Sequence, residues 1–379
     1  MTTRLRIGLG TTLLHDPATR DALDGIGVYT RELRARFDAR VDVEVVPAVM
    51  RRAAARAAPQ GTFCFPVHRN VMAAWSLATG RPFAGNSALA RRIDVFFATD
   101  YRVPRLRNIP VCATVFDAIP LSHPEWASPR IRAVKNHVLR STIRWADRVI
   151  AISHAMVPEL VEHYAVPEER IGVTHLGVDK HWFEREPDAR VAALRHHYRL
   201  DRRYLLFVGT LQPRKNVATI LAAFGRLPPA FRSEVQLVIA GRAGWQTEGL
   251  VTALRAAEND GRVRWLDYVP VADMRALYQG ASAFVFPSLY EGFGLPVLEA
   301  FASGVPVVCS NVTSLPEVAG DAALQIDPAD VVGLASAMEA LVSDDALAQR
   351  MRDRGRDRAR EFTWDRCAER TLAVLRSVV

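Results

Sequence analysis

Apolar positions along this chain fall into two rhythms. Short apolar runs bounded by turn residues predict buried strands. Longer stretches with apolar residues three and four apart predict helices that cover them. In the first half the strand candidates are Arg6–Gly10, Val43–Val46, Val95–Ala98, Val111–Phe116, Val149–Ser153 and Ile171–His175. In the second half they are Tyr204–Gly209, Val235–Gly241, Val263–Asp267, Ala283–Phe286, Val305–Cys309 and Ala323–Ile326. Between them lie helix-like segments, among them Tyr29–Arg36, Ile131–Ala146, Asn216–Phe224, Asp273–Gln279 and Val297–Ala302. Strand–helix alternation at this spacing predicts an α/β protein with parallel sheets. The pattern restarts near Leu200, and one open sheet of that many strands would be uncomfortable, so two doubly wound, Rossmann-like domains are expected. The boundaries read as 1–185 and 190–360, joined by a charged linker from Lys180 to Arg190. A terminal helix over 361–379 is expected to pack back toward the first domain. The stretch Asp344–Arg360 alternates acids with arginine and predicts a solvated helix.

Composition narrows the class. The 379 residues suit two domains, and no run of about 18 apolar residues predicts a membrane-spanning helix. The N-terminal residues read as a first strand rather than a secretion signal. Cys64, Cys112, Cys309 and Cys367 are scattered without a paired spacing, which fits a reducing cytoplasm. The net charge of +8 lies wholly in residues 1–185, with 26 Lys/Arg against 18 Asp/Glu; residues 186–379 carry 23 of each. A basic half implies an anionic partner: a phosphorylated substrate, an anionic membrane surface or nucleic acid.

The chemistry concentrates in Phe286-Pro-Ser-Leu-Tyr-Glu-Gly-Phe-Gly-Leu-Pro-Val-Leu-Glu-Ala300. A strand ends near Phe286, a glycine-bearing turn follows, and Pro296 sits where a helix takes its first residue. Amides of Gly292, Phe293, Gly294 and Leu295 at a helix N-terminus make an anion site, and the glycines let a diphosphate approach the backbone. Glu291 precedes that helix and Glu299 falls in its first turn. Glycines in a plain turn and an acid complementing a helix dipole would explain either feature alone; two acids bracketing the turn after a strand point to a ligand site. A second piece is Leu206-Phe-Val-Gly-Thr-Leu-Gln-Pro-Arg-Lys-Asn216, where a strand ends in Gly209 and Arg214 and Lys215 stand at the mouth of a turn. A cationic pair there suits a leaving diphosphate. No Asp-x-Asp occurs in the chain, so no metal and no cofactor are expected, and the positive charge must come from side chains and helix dipoles.

These two segments resemble the donor-site motifs of glycosyltransferase family 4, retaining enzymes of the GT-B fold. The resemblance extends to Gly25-Ile-Gly-Val-Tyr29, Asp117-Ala-Ile-Pro120 with His123-Pro-Glu-Trp126, Ile152-Ser-His154, Leu176-Gly-Val-Asp179, Gly241-Arg-Ala-Gly-Trp245 and Asn311-Val-Thr-Ser-Leu-Pro-Glu317. The combination resembles mannosyltransferase-like members that build bacterial O-antigen and other surface polysaccharides. It implies a nucleotide-sugar donor, GDP-linked, held by the second domain, and an acceptor held by the first, the two facing across a cleft. Glu291 would contact hydroxyls of the donor sugar, Arg214 and Lys215 the diphosphate, and Glu299 the ribose. The base would lie near Tyr268, Val269 and Arg242. Gly25 and Gly27 would form a loop approaching the reaction centre. Family members often have His-Asp where this chain has Phe116-Asp117, the histidine serving the sugar's 6-hydroxyl. Phenylalanine cannot make that bond, so the donor is expected to be either mannose or a 6-deoxyhexose such as rhamnose.

Neither Glu291 nor Asp117 is marked by the sequence as a nucleophile, so retention is expected to proceed by front-face substitution. The acceptor, a glycan or a polyprenyl-diphosphate-linked sugar, would dock on the basic domain. Arg130, Arg132, Lys135, Arg140, Arg144 and Arg148 fall there near Trp126 and Trp145, and the last three arginines recur every four residues. They read either as a solvated face or as a peripheral contact with the inner face of the membrane. Rival readings are a nucleotide-sugar epimerase of similar fold, a basic nucleic-acid-binding protein and a dehydrogenase. No RNA platform or zinc finger is seen, and Gly8-Leu-Gly10 lacks the third glycine of the dinucleotide fingerprint.

Overall fold

The computed structural model describes residues 4–17, 23–50, 52–126 and 132–379. It divides into two compact units, Met1–Gly177 with Trp364–Val379, and Val178–Thr363.

Among the described residues, the first unit is built on seven strands: β1 (Leu5–Gly10), β2 (Val43–Val49), β3 (Phe63–Cys64), β4 (Val95–Ala98), β5 (Val111–Val115), β6 (Arg148–Ala151) and β7 (Ile171–Val173). They pair in parallel in the order β3-β2-β1-β4-β5-β6-β7. β4 and β5 are buried at every position, as a sheet covered on both faces requires. Helix Gly25–Asp38 buries Tyr29, Leu33 and Phe37, spaced four apart on one face. The Tyr29 hydroxyl shares a 2.9 Å hydrogen bond with that of Thr114 on β5. The terminal helix Trp364–Arg376 belongs to this unit; it buries Trp364, Cys367, Ala368 and Leu372, and Trp364 lies 6.3 Å from the Tyr29 ring.

The second unit holds β8 (Arg203–Val208), β9 (Val235–Ala240), β10 (Val263–Leu266), β11 (Ala283–Phe286), β12 (Val307–Ser310) and β13 (Ala323–Ile326). All are parallel, in the order β10-β9-β8-β11-β12-β13. This is the dinucleotide-fold order. It reverses between β8 and β11, and ligands of such sheets bind outside the carboxyl ends of the strands at that reversal.

Three expectations change. Lys180–Arg190 is not a linker between the units but part of the second: Trp182 is buried against Tyr278, and Arg275 bonds the carboxylates of Glu184 and Glu186 at 2.8 Å each. The stretch is charged because it makes ion pairs, and the unit boundary falls at Gly177. Helix Asp345–Arg360 is solvated on one side only. Ala348, Met351, Gly355 and Ala359 are buried, and a Cβ at Gly355 would come within 2.6 Å of Phe301, on the helix Leu295–Ala302. Finally, Arg140, Arg144 and Arg148 do not share a helix face. The helix spans Arg132–Ile143, and Arg148 opens β6, its guanidinium donating to the carbonyl of Glu169. Arg130 lies outside the described residues.

Candidate active site

The two segments singled out in the sequence leave neighbouring strands at the reversal of the second sheet. β8 and β11 pair through Leu205–Ala283 and Leu206–Phe284. After β8 the chain passes Gly209, turns through Pro213–Lys215, and enters the helix Val217–Arg226. After β11 it runs through Glu291 to Gly294 and enters the helix Leu295–Ala302, with Pro296 at its second rather than first position. Gly294 has φ +113°, a conformation that side chains rarely adopt.

The turn and the acid loop meet at one ion cluster. Lys215 Nζ donates to Glu291 Oε1 at 2.5 Å, and an Arg214 amino group donates to Oε2 at 3.1 Å. Lys215 and Glu291 are each 7% exposed. Lys215 Nζ also lies 4.7 Å from the centre of the Phe286 ring, a cation–π contact. Burial by itself raises the Glu291 carboxyl, but the Lys215 and Arg214 charges outweigh it and hold it below the usual glutamate range. At Lys215 burial prevails over the attraction of Glu291, with Arg214 adding to it, and the ammonium falls below the usual lysine range. Two cations against one carboxylate leave a net positive group, a fit for an anion rather than for a metal ion.

Backbone ties hold this cluster. The Leu289 amide donates to the Arg214 carbonyl at 2.7 Å, and Arg214 also donates to the Tyr290 carbonyl at 3.1 Å. Asn216, left-handed at φ 58°, donates its side-chain amide to the carbonyls of Pro287 and Pro328. Ahead of the turn, Leu211 donates to Arg242 at 2.8 Å and accepts from Gly244 at 2.9 Å, extending the parallel pairing beyond β8 and β9. That extension needs Gly241, where a Cβ would stand 2.0 Å from the Gly209 carbonyl oxygen. The acid loop is fixed from β12. Ser310 bonds the Ser288 carbonyl at 2.6 Å. Ser314 bonds the carbonyls of Glu291 and Phe293 at 2.8 Å, and the Glu291 amide donates to Thr313. Asn216, Thr313, Ser314 and Gly241 were not expected as site residues. All four stand inside motifs already quoted, and only the hydrogen bonding and, at Gly241, the close approach of the Gly209 carbonyl reveal their work.

Glu299 is the fifth residue of its helix, in the second turn rather than the first. Burial pushes its carboxyl up to about 7, and the Tyr278 hydroxyl, 3.3 Å from Oε2, opposes that rise. Arg242 follows β9 and Tyr268 and Val269 follow β10. The Arg242 guanidinium stacks 4.7 Å from the centre of the Tyr268 ring, which is 56% exposed. The structure thus gathers Gly209, Arg214, Lys215, Arg242, Tyr268, Val269, Glu291–Leu295 and Glu299 at the carboxyl edge of one sheet.

The remaining residues belong to the first unit. Gly25 and Gly27 do not form a loop: they open the helix Gly25–Asp38, capped by the Asp24 carboxylate on the Gly27 amide at 2.9 Å. Phe116 is 7% exposed and meets the Tyr29 ring edge-on at 5.2 Å. Asp117 follows it, its carbonyl accepting the hydroxyls of Tyr101 at 3.3 Å and Tyr164 at 3.1 Å. Burial raises both phenols well above their usual range, so they stay protonated donors. Neither tyrosine carried a signal in the sequence.

Comparison with known proteins bears on the family and the fold. Residues 23–182 match Glycosyltransferase Family 4, and residues 195–358 match Glycosyl transferases group 1. The chain is 31% identical to the O-antigen chain mannosyltransferase B of Escherichia coli over 364 residues, 92% of this chain and 95% of that one. It is 32% identical to the alpha-maltose-1-phosphate synthase of Mycobacterium tuberculosis over 294 residues, 72% of this chain and 74% of that one. Among solved structures it is similar to Anabaena HepE in complex with UDP and glucose (TM-score 0.73, 16% identity, 99% of this chain and 100% of that chain). It is also similar to WaaG, a glycosyltransferase involved in lipopolysaccharide biosynthesis (TM-score 0.71, 16% identity, 97% and 99%). These likenesses do not favour an epimerase. The chain belongs to the family 4 glycosyltransferases, and its two Rossmann-like units are those of the GT-B fold.

Proposed function

We propose that this enzyme moves a hexose, mannose, from GDP-mannose to a growing glycan or polyprenyl-diphosphate-linked acceptor in surface-polysaccharide synthesis, with retained anomeric configuration. The observation that carries the reading is the buried Arg214–Lys215–Glu291 cluster at the sheet reversal. The likeness to an O-antigen chain mannosyltransferase over 92% of the chain supports mannose as the sugar. In this reading Arg214 and Lys215 take the diphosphate and Glu291 turns toward sugar hydroxyls. The amides of Gly292–Leu295 lie near sugar or phosphate, and Glu299 accepts the ribose hydroxyls. Arg242, Tyr268 and Val269 flank the base.

The bond from the anomeric carbon to the phosphate oxygen breaks first, and an oxocarbenium-like ion pair forms. The acceptor oxygen attacks from the face the phosphate leaves, and that phosphate takes the acceptor's proton. Charge growing on the phosphate is met by Arg214, Lys215 and the N-terminus of the helix Leu295–Ala302, with no metal required. Asp117 serves the acceptor side. The protein works in the cytoplasm, with its basic first unit at the inner membrane face.

A 6-deoxyhexose donor is the second reading, favoured by Phe116, whose apolar ring cannot serve a 6-hydroxyl. An apolar contact rejects an added hydroxyl by only about 10²-fold. A donor screen tests both. Nucleotide release is followed with GDP-mannose, GDP-rhamnose and UDP-glucose, in EDTA, against lipid-linked acceptors. The expected result is release from GDP-mannose that survives EDTA. Preference for GDP-rhamnose moves the assignment to the second reading, and loss of activity in EDTA overturns the metal-independent mechanism.

A further inference from the structure

Tyr278 closes the helix Val271–Gln279 and is fully buried. Its ring is held edge-on by Trp182 at 5.2 Å and lies against Phe284 of β11, also at 5.2 Å. A phenol buried this deeply is costly unless its hydroxyl has a partner. Among the described residues the one acceptor it reaches is Glu299 Oε2, at 3.3 Å. Burial raises the phenol well above its usual range, so it remains a donor at every working pH. The contact is long for an O–H···O bond, so it orients the carboxylate without saturating it. Glu299 keeps lone pairs for further donors, and a carboxylate on a rigid helix can accept two neighbouring hydroxyls.

We propose that Tyr278 is a positioning residue of the donor site: its buried hydroxyl sets the Glu299 carboxylate to accept the 2′ and 3′ hydroxyls of the donor nucleotide's ribose. The inference rests on the assignment of Glu299 to the ribose. It adds that the turn containing Trp182 and the helix Val271–Gln279 hold that subsite through one phenol. Trp182 lies in the stretch first read as a linker, which gives that stretch a part in donor binding.

The test is a ligand cycle. Calorimetry measures affinity for the tighter-binding of GDP and UDP, and for its 2′,3′-dideoxy analogue. The proteins are wild type, Tyr278→Phe, Glu299→Gln and the double variant. Phenylalanine keeps the ring in its packing, and circular dichroism confirms the fold. Tyr278→Phe is expected to weaken the ribonucleotide by about 2–10-fold, as for one ordinary hydrogen bond, and to leave the dideoxy analogue unchanged. In the Glu299→Gln background the same substitution should have no further effect. Donor KM should rise with Kd while kcat at saturation changes far less. Equal loss for both nucleotides, or no loss for either, overturns the role of Tyr278. If Glu299→Gln also fails to separate the two nucleotides, the ribose assignment itself falls, an outcome distinct from failure of Tyr278 alone.

Discussion

Among single residues, the proposed donor site depends on three side chains, Arg214, Lys215 and Glu291, that offset one another. Burial lowers the Lys215 ammonium, and Glu291 opposes that fall. Glu291→Gln therefore removes a sugar contact and weakens the cationic grip on phosphate together. Turnover is expected to fall about 10²–10³-fold, as for loss of one preorganised transition-state group, with the fold intact by near-UV circular dichroism. Near-normal nucleotide release from the purified variant would remove the role given to Glu291.

Glu299 sets a pH dependence of its own. Its folded carboxyl titrates at about 7, above the ordinary glutamate value, and it accepts two hydroxyls only when ionised. Nucleotide affinity should therefore rise from about pH 6 to about pH 8, one pKa unit on either side. Fold stability moves the opposite way. The protonated form is favoured by folding, so this contribution is fully present below the unfolded glutamate pKa and is lost as pH rises through about 7. Titration of affinity and of unfolding free energy against pH, in wild type and Glu299→Gln, checks both signs: the variant should lose each slope, and an unchanged slope assigns it to another group.

At the scale of elements, the cationic turn is placed by backbone that cannot carry a side chain. Gly241→Ala would drive a Cβ into the Gly209 carbonyl and break the Leu211–Ala243 bridge. A shift of about 1 Å in the Arg214–Lys215 turn should cost about 10²-fold in kcat/KM. Gly249, in the helix Glu248–Ala257, has no atom within 4 Å of a built Cβ. Gly249→Ala should leave activity unchanged and add up to about 1 kcal/mol of stability. Equal activity in the two variants, measured by nucleotide release, would show that the turn does not need this support.

These elements also show what could be read from the chain alone. β4, β5, β8 and β11 were legible because a strand buried on both faces is continuously apolar. β3 was not, being a two-residue edge strand with Cys64 exposed. Lys180–Arg190 was misread because charge alone does not separate a solvated segment from one whose acids meet Arg275. The ion cluster was legible as residues but not as a unit, since 76 positions separate Lys215 from Glu291. Ser314 and Tyr278 act through single hydroxyls, and nothing in the order of residues says where a hydroxyl will point.

At the scale of the whole molecule, the first unit carries the charge excess. The helix Arg132–Ile143 exposes Lys135 and Arg140 beside Val134, which is 62% exposed, and Arg144 is exposed just beyond it. No helix among the described residues is long and apolar enough to cross a membrane. If this surface meets an anionic leaflet, the protein should float with vesicles containing about 30% anionic lipid and not with neutral ones, and 0.5 M salt, at roughly a 4 Å Debye length, should release it. Failure to float with either vesicle removes the membrane contact and leaves the donor site untouched.

We propose retaining transfer from a nucleotide sugar at the Arg214–Lys215–Glu291 site. The most direct measurement is the anomeric configuration of the product, read by NMR after incubation of GDP-mannose with a lipid-linked glycan acceptor. The expected product is α-mannosyl, the configuration of the donor, formed by wild type and about 10²-fold more slowly or worse by Glu291→Gln. A β-mannosyl product, or an α product formed at equal rates by both proteins, would contradict it.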